Sequence, residues 1–202
     1  MINALILYNQ MTNSIRIDHT GLRHYLQLSE AVIMTNDLLQ HDAFYEQIAQ
    51  HPGFDMANVS PETIAMLMHE TLIKMHVDLY YALNSVLNID GYDDPVNPSA
   101  IHLNIWKINR DPASICNSMI HACVHAVNAY NWQYSFGHGD ISPVGKENTA
   151  PYWIGALAQR MVSGEDARLL KFQHDPCKAS TQTIKPDFDD IQALSQSIWL
   201  TC

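Results

Sequence analysis

Ile101-His102-Leu103-Asn104-Ile105-Trp106 sets Ile101, Leu103 and Ile105 in alternation with His102, Asn104 and Trp106, and a period of two is that of a β-strand. A short connection leads to Asp111-Pro112, an N-cap residue followed by a proline at the first helical position. That start predicts a helix running to about Tyr130. Its apolar stripe is Cys116, Ile120, Cys123, Val127 and Tyr130, spaced for one buried face. A strand and then a long helix imply an α+β chain, mostly helical, with a small sheet beside this helix.

The helix carries His121-Ala122-Cys123-Val124-His125. Residues four apart lie about 40° apart around a helix, so both imidazoles can reach a single ion. Ser114, Ser118 and Asn128 share their side, which is expected to look into a cleft or solvent. A bare pair at this spacing also describes a solvated helix face.

Working outward, Asn36 is expected to cap a helix over roughly 37–50, closed by His51-Pro52-Gly53. Ser60-Pro61-Glu62 starts another, running to about Leu72 or beyond. The segment Lys74 to Leu79 reads as a continuation of that helix or as a strand. Residues 88–99 form a turn-rich loop, and Phe136-Gly137-His138-Gly139-Asp140 is a glycine-rich one. A helix over about 149–162 follows, and Ser163 is expected to cap a further one through Leu170. The tail from Pro176 is polar, with an amphipathic piece over 189–200. Residues 1–18 carry little pattern and read as a leader or connecting segment, leaving 19–202 as a single domain.

With 202 residues, 47% of them apolar, the chain can bury one real core. A net charge of −10 with 11 Lys plus Arg argues against a nucleic-acid partner. No apolar run approaches the ~20 residues of a membrane span, and the opening apolar run is too short for a secretory signal. Cys116 and Cys123 lie about 10 Å apart along one helix and should not pair with each other. Cys177 with Cys202 stays an open pairing.

The order strand, connection, helix with a histidine pair resembles that of the zincin metallopeptidases, whose signature is His-Glu-x-x-His. In that family the strand beside the active helix binds an extended peptide while the helix presents the metal. Together with Phe136-Gly-His-Gly-Asp140 and Asn148-Thr-Ala-Pro-Tyr-Trp-Ile-Gly155, the pair is similar to zincin toxin domains at the ends of bacterial type VI secretion spike and Rhs-type proteins. The likeness covers mainly residues 100–170. It implies a zincin-like fold, a Zn2+ ion held by His121 and His125, and an antibacterial effector cleaving a peptide or envelope-protein substrate in the periplasm of a rival cell. A secretion spike protein and a matching immunity protein are the partners it implies.

The departure from the signature is Ala122, which stands where the family has the glutamate that takes a proton from the attacking water and returns it to the leaving nitrogen. A methyl group does neither, so this chain is expected to be catalytically dead. The sequence is then a natural pseudoenzyme or an inactivated variant of an active enzyme, and the intact surrounding motif favours the second. His69-Glu70 begins like the same signature but has Ile73 in place of the second histidine, and reads as ordinary helix surface. In zincins the third ligand is commonly a glutamate on a later helix. Glu165 in Ser163-Gly164-Glu165 is preferred over Glu147, although Ser163 with Asp166 also reads as a capping box and Glu147 as helix-dipole charge. His138 is expected to orient a ligand or stabilise an oxyanion, with Asp140 beside it, or simply to sit in a turn. Tyr152 reads as an oxyanion donor or as core. A non-catalytic zinc-binding interaction module is the competing reading of the whole.

Overall fold

The computed structural model describes residues 15–18, 25–80, 91–93, 96–139, 145–164 and 172–173. Along the chain they form β1 (Ile15–Asp18), α1 (Leu26–Leu38), α2 (Asp42–Ala49), α3 (Pro61–Glu70), β2 (Ile73–Tyr80), β3 (Gly91–Asp93), β4 (Ala100–Asn104), a 3-10 turn (Ile105–Lys107), α4 (Pro112–Tyr130), α5 (Ala150–Ser163) and β5 (Phe172–Gln173). This is a mixed α and β fold, as expected. Glu165, Asp140, Cys177, Cys202, the helix foreseen from Ser163 to Leu170 and the amphipathic piece of the tail lie outside the described residues.

Both proline-marked starts form helices for the physical reason foreseen. The Ser60 hydroxyl accepts from the Thr63 N–H ahead of α3, and the Asp111 carboxylate accepts from the Ala113 N–H ahead of α4. Helix α3 stops at Glu70 because the next residues turn into β2, so Lys74 to Leu79 is strand. The single helix expected over 37–50 is instead α1 and α2, and Asn36 lies inside α1 rather than capping anything. Its carboxamide serves β1: it accepts from the Ile17 N–H at 2.9 Å and donates to the Ile17 carbonyl at 3.1 Å. Strand β1 falls within the segment assigned above to a leader, so the domain reaches back at least to Ile15. Ser163 is the last residue of α5: its hydroxyl donates to the Gln159 carbonyl, and Gly164 follows in the left-handed conformation.

The strands form one sheet in the order β1-β2-β4-β3-β5. Strands β1, β2 and β4 are parallel, and β3 runs antiparallel to β4. The strand read from Ile101 onward is β4 as far as Asn104, while Ile105 and Trp106 lie in the 3-10 turn; the burial does not alternate, because every residue of β4 is buried, including His102 and Asn104. Its central position explains this. The same position corrects the expectation that this strand receives an extended peptide, because β2 pairs with it on one side and β3 on the other. The apolar face, Ile15 and Ile17, Ile73 and Met75, Ile101 and Leu103, merges with the helices in one core.

Helix α4 runs through that core and packs chiefly on α5 and α1. Cys116, Ile120, Cys123 and Val127 are fully buried as the stripe predicts, whereas Tyr130 emerges with the last turn. The opposite face, expected to be open, is closed: His121 and Ser118 are also fully buried. Arg110 donates to the hydroxyls of both Ser114 and Ser118. The approach of α5 depends on Gly155, where a Cβ would stand 2.9 Å from the Asn117 carbonyl oxygen and collide with the Asn117 side chain. One turn on, Asn117 donates to Gln159 Oε1 at 2.9 Å, so the buried carboxamides of the two helices satisfy each other.

Candidate metal centre

Closing α5 onto α4 and folding the 134–139 loop back bring four aromatic side chains together. His121 and His125 come from α4, with ring centroids 5.0 Å apart as their one-turn spacing requires. His138 comes from the loop, and its Nε2 lies 3.1 Å from Nε2 of His121. Its ring stands edge-on to that of His125 at 4.7 Å. Tyr152, from the first turn of α5, sets its ring at 4.6 Å from His121 and 4.7 Å from His138.

One ring nitrogen from each of His121, His125 and His138 lies within 4.8 Å of the other two. Ligands at the usual zinc–nitrogen distance in tetrahedral array stand about 3.3 Å apart, so the 3.1 Å approach of His121 to His138 suits two donors facing one ion. Imidazole nitrogen is a donor for zinc, copper, iron and nickel alike, and a set of three histidines with a fourth position left over is a pattern of catalytic zinc. The group can therefore hold a metal ion. His121 and His138 are fully buried, while His125 is half-buried and borders the solvent side.

His138 takes its place because its loop is fastened on two sides. The Asn128 carboxamide, one turn beyond His125, donates to the Tyr134 carbonyl at 2.8 Å and accepts from the Phe136 N–H at 3.1 Å. Between those two residues, Ser135 exchanges two hydrogen bonds of 2.8 Å with Asn58, one to its backbone N–H and one to its side chain. Phe136 fills the core. Of the two glycines expected to fold the loop, only Gly139 adopts a positive φ, 72°. A Cβ at Gly137 would meet the His125 ring and Asn128 at ordinary contact distances. The segment that bears Asn58 also reaches the start of α5, where the Asp55 N–H donates to the Asn148 carbonyl and Asn148 donates to the Asp55 carboxylate.

Measured against the sequence, His121 and His125 face a common point as their spacing requires, and His138 joins them as a third nitrogen donor where an orienting or oxyanion role had been expected. Tyr152 is both core and site. Glu147 is exposed, accepts from the Gly145 N–H and is not among the three residues that converge. Ala122 is buried within the apolar cluster. Asn128 was read only as a polar residue of the histidine face; its one-turn distance from His125 was the available signal.

Cys116 and Cys123 are free and do not pair, as foreseen. Burial pushes the Cys116 thiol up to about 12, partly offset by a hydrogen bond involving Thr35, and burial likewise raises Cys123. Both stay protonated near neutrality and are poor ligands in that state. No helix among the described residues is long and apolar enough to cross a membrane. The chain matches no protein-family model, no curated protein and no solved structure.

Proposed function

We propose that this chain is a zincin-like metallopeptidase domain of an antibacterial effector, with zinc held by His121, His125 and His138, and with Ala122 leaving peptide hydrolysis without its acid-base residue. The observation that carries the reading is the convergence of a helical histidine pair and a buried third histidine whose loop is tied to the same helix. A zinc ion there supplies Lewis acidity toward a carbonyl oxygen and an attacking water. The protein's own part is to hold three neutral imidazoles in fixed orientation. Tyr152 packs against two of the rings, and His125 is the least buried of the three ligands.

Turnover needs a group that moves a proton from water to the leaving amine, and the methyl of Ala122 cannot. General acid-base catalysis commonly contributes about 10²- to 10⁴-fold, so the chain binds metal while being nearly inert toward peptides. The effector role, the spike and immunity partners and the periplasmic site of action rest on the resemblance of residues 100–170. The test is to install the missing carboxylate by Ala122→Glu and assay envelope proteins and peptides for cleavage that a chelator abolishes. Zinc binding without cleavage would leave the second reading, a non-catalytic module. That reading is favoured by Leu72, between α3 and β2, and Trp132, just past α4, each 84% exposed, next to residues joined by the Asn131–Thr71 hydrogen bond.

A further inference from the structure

We infer that Asn128 is the positioning residue of the metal centre, presetting the loop that delivers His138. The inference rests on the three-histidine reading above and adds to it a residue that touches no metal. A ligand on a loop of its own would be ordered only when the ion arrived, and the cost of that ordering would weaken affinity. Here the loop is ordered by α4 itself. Asn128 offers one donor and one acceptor, and they meet the Tyr134 carbonyl at 2.8 Å and the Phe136 N–H at 3.1 Å, much as a neighbouring strand would. Asn58 engages both backbone groups of Ser135 between them. Two residues past this clamp, His138 projects to within 3.1 Å of His121. The helix that carries two of the ligands thus also holds the loop of the third through the Asn128 carboxamide, with Asn58 fastening the same loop from its other side.

Groups that orient metal ligands through hydrogen bonds commonly change affinity by about 10- to 100-fold when removed. The experiment is a chelator-competition titration of the full chain with Zn2+, comparing the unaltered protein, Asn128→Ala, His138→Ala and the double variant. Metal-free folding is checked in each by circular dichroism. The expected result is affinity about 10- to 100-fold weaker for Asn128→Ala, a larger loss for His138→Ala, and a double variant no weaker than His138→Ala alone, since the clamp acts only through that ligand. Asn128→Asp keeps an acceptor for the Phe136 N–H but sets a second acceptor against the Tyr134 carbonyl, so it should weaken binding at least as much as Asn128→Ala; Asn128→Ser, a smaller polar change, serves if the alanine variant does not fold. Unchanged affinity in a folded Asn128 variant, or losses that simply add in the double variant, would overturn the inference. Unchanged affinity in His138→Ala would instead overturn the three-histidine centre on which it rests.

Discussion

Nε2 of His121 and Nε2 of His138 face each other at 3.1 Å inside the protein, although seventeen residues separate them in the chain. Without an ion, two imidazole nitrogens this close are compatible only if one carries a proton and the other accepts it, or if they share one. An ion that accepts both lone pairs removes that constraint, and competition between proton and metal should therefore mark the site.

Substituting the ligands tests this most directly. The purified chain is expected to carry about one zinc per molecule, with His121→Ala or His125→Ala abolishing it and His138→Ala leaving a much weaker site, measured by elemental analysis after gel filtration. Glu147→Ala should leave the metal content unchanged, since that carboxylate is exposed and engaged with the Gly145 N–H. Glu165→Ala is the companion measurement: loss of zinc there with retention in His138→Ala would return the third position to the glutamate.

Ala122→Glu would bury a carboxylate in an apolar setting, which on the proposed reading a bound zinc ion offsets. Ala122 is 3% exposed, so without metal the new side chain is expected to cost roughly 3 kcal/mol of stability, recovered on adding zinc. The zinc-induced rise in melting temperature should then exceed that of the unaltered chain. Expressed in the bacterial periplasm, the variant should be toxic, and adding His121→Ala should remove the toxicity. A variant that binds zinc and remains harmless and inactive would end the hydrolase reading.

Gly155→Ala is predicted to destabilise the protein by about 1–3 kcal/mol, because the added methyl meets the Asn117 carbonyl oxygen and side chain. Since the helix that must shift carries Tyr152, the same variant should also weaken zinc binding. A denaturation midpoint equal to that of the unaltered chain would contradict the close approach of α4 and α5.

The buried thiols make stability fall in alkali. Burial raises both, so the folded protein keeps protons that the unfolded chain releases above about pH 8.5. Their contribution is complete below that value and is lost as pH rises toward the folded Cys116 value of about 12, by up to ~1.4 kcal/mol per pH unit for each thiol. Urea denaturation at pH 8 and pH 10 under reducing conditions should show a smaller loss for the Cys116→Ala/Cys123→Ala variant. Equal losses would place the thiols nearer to water.

Local chemistry was legible wherever one residue's conformation decides the outcome. Ser60-Pro61 and Asp111-Pro112 announce α3 and α4, since a side-chain acceptor before an imino residue satisfies the first turn whatever surrounds it. The pairing of His121 with His125 follows from helical geometry alone. Other features needed partners far along the chain. Asn36 looked like a cap because Asn often is one, and only the nearness of β1 gave its carboxamide a backbone to bind. The strand before α4 was expected to receive an extended peptide, and strands on both its edges made it central. Most of all, a histidine between two glycines has no direction in sequence. Tertiary structure supplied one, because Asn128 and Asn58 bind backbone groups of residues 134–136 and Phe136 enters the core, and His138 two residues on meets His121.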